Sequence, residues 1–249
     1  VILTQADDGR VRRAMIDHNG RMHPPVIGVT ANLVRDPQGR LRHEVKQSYL
    51  DAVIRTGGVP FLLPAIAETR ATLLQRCDGI VITGGDDIDV RPFGVALHSE
   101  AQVMEPARQA AEFALLRALD TQPELPVLGI CLGMQLMGVH AGCPLIQHLH
   151  DLKPDADRHR FDHVHAVESA IGSGPVASWH HQALAAPGPF DAIGWSDDGV
   201  LEAIRSPKRP FYVGVQWHPE RTADARMGDG IVAQLVHAAR ERANTSVTR

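Results

Sequence analysis

Cysteine is scarce in this chain: three residues in 249, Cys77, Cys131 and Cys143. An odd and sparse set excludes a disulfide framework, and the spacing fits no cysteine zinc site, so reduced thiols and a cytoplasmic location are expected. A dominant charge is lacking as well. Lys and Arg number 25 against 29 Asp and Glu, and no five like charges run together. The electrostatic footprint of a nucleic-acid binder is therefore missing, and a small molecule is the expected partner. Residues 1–25 contain no apolar core of the kind a signal peptide requires, and they read as an arm or a disordered segment. No repeat, low-complexity tract or Gly/Ser linker divides the remaining residues. One domain over 26–243 and a short tail, 244–249, are expected.

The segment from Leu125 to His150 has no Asp, Glu, Lys or Arg, which is long enough to raise the question of a membrane span. It also holds Pro126, Gly129, Gly133, Gly138, Gly142 and Pro144. Breakers at that density point instead to a buried strand, a tight turn and a buried helix. Val26–Thr30, Val59–Leu63, Gly79–Thr83 and Val127–Ile130 are apolar at nearly every position, the pattern of strands covered on both faces. Between them, Val45, Tyr49, Ala52, Val53 and Thr56, and again Ala107, Ala111, Ala114, Leu115 and Ala118, recur at helical spacing. After a polar stretch from Asp151 to Asp162, short strands are expected near 190–195, 200–204 and 211–217. A last helix carries the stripe Met227, Ile231, Leu235 and Ala238. The predicted fold is α/β: a three-layer unit with a mostly parallel central sheet flanked by helices and antiparallel additions in the C-terminal half.

Three turns at strand ends could carry chemistry. Cys131 stands in Gly129-Ile130-Cys131-Leu132-Gly133, between an apolar strand and a helical pattern. Glycines two before and two after a nucleophile permit the sharp turn that lifts its side chain out of the sheet. The helix N-terminus then sets its dipole and free N–H groups beside the sulfur, and the Leu132 N–H faces the place of an oxyanion. His218-Pro219-Glu220 follows another strand, so a base and a carboxylate that orients it are available at a second strand end. Thr83-Gly84-Gly85-Asp86-Asp87 follows a third, and adjacent glycines let backbone amides approach a ligand. Histidine is plentiful, 14 in all, with His148, His150, His159, His163 and His165 close together. His163 and His165 would share a strand face, but the spacing matches no established zinc pattern, and no metal is expected. Trp179-His180-His181-Gln182 is a candidate pocket wall.

Taken in order, GGDDID from Gly84, GICLGMQ from Gly129, SWHHQ from Ser178 and VQWHPE from Val215 resemble the class I glutamine amidotransferase superfamily, and within it the γ-glutamyl-γ-aminobutyrate hydrolase branch. The resemblance runs from about Val26 to the final helix. It implies a triad of Cys131, His218 and Glu220, an oxyanion hole from the backbone of Gly85 and Leu132, and substrate contacts from Gly84, Gln135, His181 and Gln182. It also implies hydrolysis of a γ-glutamyl amide through a γ-glutamyl thioester, without metal or organic cofactor, in polyamine catabolism. The implied partners are a small γ-glutamyl substrate and, in a homodimer, a second copy of the chain. Leu132 stands where this branch usually carries Arg, as in many ammonia-supplying relatives. That motivates an alternative, a glutaminase subunit serving a partner synthetase.

Overall fold

A computed structural model describes residues 23–246, together with the backbone of Ile2–Gln5 and Val11–Ala14, which pair as an antiparallel hairpin. The rest of the expected N-terminal arm, and residues 247–249 of the tail, lie outside the described residues.

The four apolar runs of the first half form strands β1 (Val26–Thr30), β2 (Val59–Leu63), β3 (Gly79–Ile82) and β4 (Val127–Ile130). The second half adds β5 (His163–Ser169), β6 (Gly172–Ser178), β7 (Asp191–Ser196), β8 (Leu201–Arg205) and β9 (Tyr212–Val215). All nine join one sheet, ordered from edge to edge β6, β5, β7, β8, β9, β4, β3, β1, β2. From β9 to β2 the pairings are parallel, and from β9 to β6 they are antiparallel. Side chains of β3 and β4 are buried throughout, which is why both read as unbroken apolar runs.

Helices α1 (Gln47–Arg55) and α5 (Asp229–Ser246) cover one face, where Tyr49, Val53, Ile231 and Leu235 pack with Val29, Val81 and Leu128. Helices α2 (Arg70–Leu74), α3 (Pro106–Asp120) and α4 (Leu132–His140) cover the other, through Leu74, Leu115, Leu116 and Leu136 against Ile80 and Ile82. The predicted three-layer fold is observed. The uncharged stretch 125–150 becomes β4, Cys131 and α4, and no helix among the described residues is long and apolar enough to cross a membrane.

Three local expectations are corrected. In α3 the buried stripe is Arg108, Ala111, Glu112, Leu115, Leu116 and Leu119 rather than the alanine row, and Ala107 is exposed. Two charged residues that pair with one another take positions that hydropathy assigns to solvent. In α5, Ile231 and Leu235 are buried as expected, but Ala239 rather than Ala238 completes the stripe. The β5–β6 hairpin stands between the expected polar stretch and pocket wall, where the only strand expectation is the shared face of His163 and His165. Its strands bury only alternate or terminal positions, and the first buried one holds His165, so no apolar run marks them.

Candidate functional site

The three strands that end in motifs, β9, β4 and β3, are neighbours in the sheet, and their carboxyl ends place all three turns together. Crevices at such ends are where open α/β sheets bind ligands. β4 runs directly into Cys131, whose backbone sits at φ 53°, ψ −108°, outside the regions open to an L residue. Such a conformation costs about 1–3 kcal/mol and persists only where the surroundings impose it. Here the Cys131 N–H donates to the Val215 carbonyl at 2.8 Å, and its carbonyl accepts from the Gln135 N–H at 3.2 Å. Gly133 permits the turn from the other side: a Cβ there would overlap the carbonyl oxygen of Ile82 in β3. Since backbone cannot yield as a side chain can, Gly133→Ala is expected to lower stability by about 2 kcal/mol, read as a lower urea midpoint at unchanged slope. An unchanged midpoint would show that the helix can shift away from β3.

His218 is buried, and its Nδ1–H donates to Glu220 Oε1 at 2.8 Å. Cys131 lies beside the ring, lining the same cavity, and its thiol faces the Trp179 carbonyl at 3.7 Å. Burial alone would push the imidazole toward neutrality, but the Glu220 carboxylate and Cys131 outweigh it and raise His218 to about 9. Glu220 is itself buried; desolvation acts against its charge, and His218 overrides this to hold the carboxyl below its ordinary range. The other two thiols lie elsewhere in the core. Burial, reinforced by Asp78, pushes Cys77 up to about 11, and burial also raises Cys143.

The double-glycine turn is held from both sides. Gly84 N–H donates to Tyr49 Oη at 3.0 Å, so that amide is committed and Gly85 supplies the one beside it. Beneath the turn lies Arg108, fully buried, donating to the Gly84 carbonyl at 2.9 Å and to Asn32 Oδ1 at 2.7 Å. A Cβ on Gly85 would overlap the Arg108 guanidinium, which explains the second glycine. Glu112, 3.7 Å from both Arg108 and Arg70, balances the buried charge. Neither Tyr49 nor Arg108 is marked as functional in the sequence: one reads as helix packing, the other as a solvated position.

Two cavities meet at Cys131 and Gly85. The smaller, about 120 Å³, is lined by Asp86, Asp87, Gln135, Arg160 and Trp179–Gln182. His181 is fixed there by Asp87, 2.9 Å away, while Gln182 Oε1 is buried without a hydrogen-bond partner. Gln135 Nε2 donates to the Gln182 carbonyl at 3.1 Å and to Gln216 Oε1 at 3.2 Å, so it braces this wall. The larger cavity, about 520 Å³, is lined by Glu44, Lys46, Tyr49, Gly84, His218 and Arg221 among others. Of the residues predicted for the site, Gly84, Gly85, Cys131, Gln135, His181, Gln182 and His218 line these cavities, and Glu220 lies behind His218. Leu132 follows Cys131 but lines neither cavity; its side chain is buried in the core of the opposite sheet face.

Residues 25–220 match the family described as peptidase C26. The chain belongs to the peptidase C26 family. It is a glutamine amidotransferase-like enzyme, a hydrolase of amide bonds. A Mycobacterium tuberculosis protein provisionally named a glutamine amidotransferase is 36% identical over 223 residues, covering 80% of this chain and 71% of its own length. The γ-glutamyl-γ-aminobutyrate hydrolase PuuD of Escherichia coli K12 is 30% identical over 224 residues, covering 80% of this chain and 87% of its own. Among solved structures, a Thermotoga maritima glutamine amidotransferase superposes with TM-score 0.56 at 16% identity, over 89% of this chain and 99% of that one. At that identity the likeness concerns the fold.

Proposed function

We propose that this C26 enzyme hydrolyses the γ-glutamyl amide bond of small γ-glutamyl amines, releasing glutamate and the amine. The observation that carries the reading is a cysteine beside a buried, hydrogen-bonded His–Glu pair at the junction of two unequal cavities. The glutamyl group occupies the smaller cavity, its α-carboxylate near Arg160 and its α-ammonium near Asp86, Asp87 and the unpartnered Gln182 Oε1. The amine occupies the larger, where Lys46 and Arg221 suit a carboxylate such as that of γ-aminobutyrate, and Glu44 suits a polyamine ammonium.

Cys131 sulfur attacks the γ-carbonyl carbon, and the oxyanion is met by the amides of Gly85 and Leu132. With His218 raised to about 9, the imidazolium is the acid that protonates the departing nitrogen as the C–N bond breaks. Neutral His218 then takes a proton from the water that hydrolyses the γ-glutamyl thioester, and Cys131 is released. Glu220 holds the ring so that Nδ1 carries its proton throughout. Hydrolysis of this kind calls for no partner chain. Ammonia supply to a synthetase, the alternative motivated by Leu132, gains no support from a side chain buried away from the cavities, and ammonia needs little of the 520 Å³ on the amine side. The test is glutamate release by the isolated chain from γ-glutamyl-γ-aminobutyrate and from free glutamine.

A further inference from the structure

Beside the smaller cavity, whose wall includes His180, three histidines converge on one carboxylate oxygen. His165 of β5 places Nε2 at 3.2 Å from Glu202 Oε1, His159 places Nδ1 at 3.3 Å, and His180 places Nε2 at 3.5 Å. All four side chains are buried to 1% exposure or less. The donor atoms of His159, His165 and Glu202 lie within 4.8 Å of one another.

Protons account for only part of this arrangement. His180 Nδ1 faces the Gln182 carbonyl at 2.9 Å, and a carbonyl only accepts, so the ring proton belongs on Nδ1 and the lone pair on Nε2. His159 Nε2 faces the Asp198 carboxylate at 3.2 Å, which likewise leaves the lone pair of a neutral ring on Nδ1. Both lone pairs then point at the anionic oxygen of Glu202. Neither His159 Nδ1 nor His180 Nε2 makes a hydrogen bond, although each is within 3.5 Å of that oxygen. Lone pairs facing a carboxylate in a dry interior repel; a proton on His159, between Asp198 and Glu202, removes one of these repulsions and leaves the one at His180.

A cation between them reverses the sign of every contact. With metal–ligand bonds of about 2.0–2.1 Å, a tetrahedral zinc site has donor-to-donor edges of about 3.3 Å, close to the 3.2 and 3.3 Å that separate His165 Nε2 and His159 Nδ1 from Glu202 Oε1. Metal-bound histidines usually give their second N–H to a carboxylate or a backbone carbonyl, as His159 does here to Asp198. We propose that His159 Nδ1, His165 Nε2 and Glu202 bind a Zn²⁺ ion, with His180 beside them and outside this group of three. The ligands come from the turn at 156–159, from β5 and from β8. One ion ties these together and so positions Arg160, next to a ligand, in the wall of the smaller cavity. His163, the neighbour expected to share a face with His165, is exposed and bonds instead to the Asp157 carbonyl. The proposal departs from the sequence expectation of no metal because the fold brings together residues separated by 43 positions, from 159 to 202.

This inference stands apart from the hydrolase reading, and its test reads metal rather than turnover. The untagged chain carrying Cys131→Ala, which removes the competing thiol, is equilibrated with equimolar Zn²⁺, desalted and assayed for bound metal. About one zinc per chain is expected, with affinity lowered at least tenfold by Glu202→Gln and by His165→Gln, each confirmed as folded by circular dichroism. Cobalt in place of zinc is expected to give the intense visible absorption of a tetrahedral site, a readout that requires no substitution in the cluster. Failure of the chain to retain zinc overturns the proposal. Retention unchanged in folded Glu202→Gln, or lost instead with His148→Ala on the surface beside His181, overturns it as well.

Discussion

A chain carrying Cys131→Gly is expected to lose at least about ten-thousand-fold in glutamate release while becoming more stable by about 1 kcal/mol. The first effect follows from the proposed role of the Cys131 sulfur, which forms the thioester. The second comes from φ 53°, ψ −108°, a backbone state that costs a cysteine about 1–3 kcal/mol and that glycine adopts freely. Part of this relief is offset by the greater freedom of glycine in the unfolded chain. Cys131→Ala separates the two effects, because alanine loses the sulfur but keeps the strain; its activity should be equally low and its urea midpoint unchanged. If glycine and alanine gave the same stability, the strain at this turn would not be a cost carried for function.

Replacing Glu220 by Gln is expected to lower kcat by about a thousand- to ten-thousand-fold. In the native protein burial opposes the charge on His218, and the Glu220 carboxylate and Cys131 together raise it from 6.5 to about 9. Without that carboxylate burial gains ground, so the imidazole titrates lower and the leaving amine loses its acid. The alkaline limb of the kcat profile should move down from near pH 9 accordingly. The same shift carries a stability signature. Because the folded pKa lies above the unfolded one, the stabilisation is fully present below about pH 6.5 and is lost as pH rises through about 9. The native chain should lose stability across that window, and Glu220→Gln should lose less. An identical pH dependence in both chains would remove Glu220 from this role. The conservative variant Glu220→Asp, which retains the charge, should recover part of the rate.

How much of the site is legible in the residues depends on whether the signal is local. The nucleophile turn is readable because its cause lies within five residues: an apolar strand, a cysteine, flanking glycines and a helical pattern. The strand ends carrying His218 and Gly85 are readable for the same reason, and parallel pairing then assembles them. What escapes are side chains whose roles depend on distant partners. Arg108 reads as a solvated helix position, and only the packing of α3 under Gly84 and Gly85 turns it into the support of that loop. Tyr49 reads as core, yet its hydroxyl fixes which glycine amide stays free. Along the chain the histidines show only His163 and His165 alternating on one strand. In the fold, His159 and His180 arrive from outside that strand, and Glu202 comes from a strand expected only as one of the short additions after residue 190. Hydropathy has no means of marking a charge that is buried because its partners are buried with it.

The central claim is that this chain alone cleaves γ-glutamyl amides of small amines, and glutamate release by the isolated chain tests it most directly. γ-Glutamyl-γ-aminobutyrate, a γ-glutamyl polyamine and free glutamine are compared at equal concentration. The account predicts release from at least one of the γ-glutamyl amines, with a kcat/KM at least tenfold above that for glutamine, because the 520 Å³ cavity beside His218 binds the amine that glutamine lacks. No release from any γ-glutamyl amine, or turnover of glutamine alone and only when a synthetase is added, would contradict it.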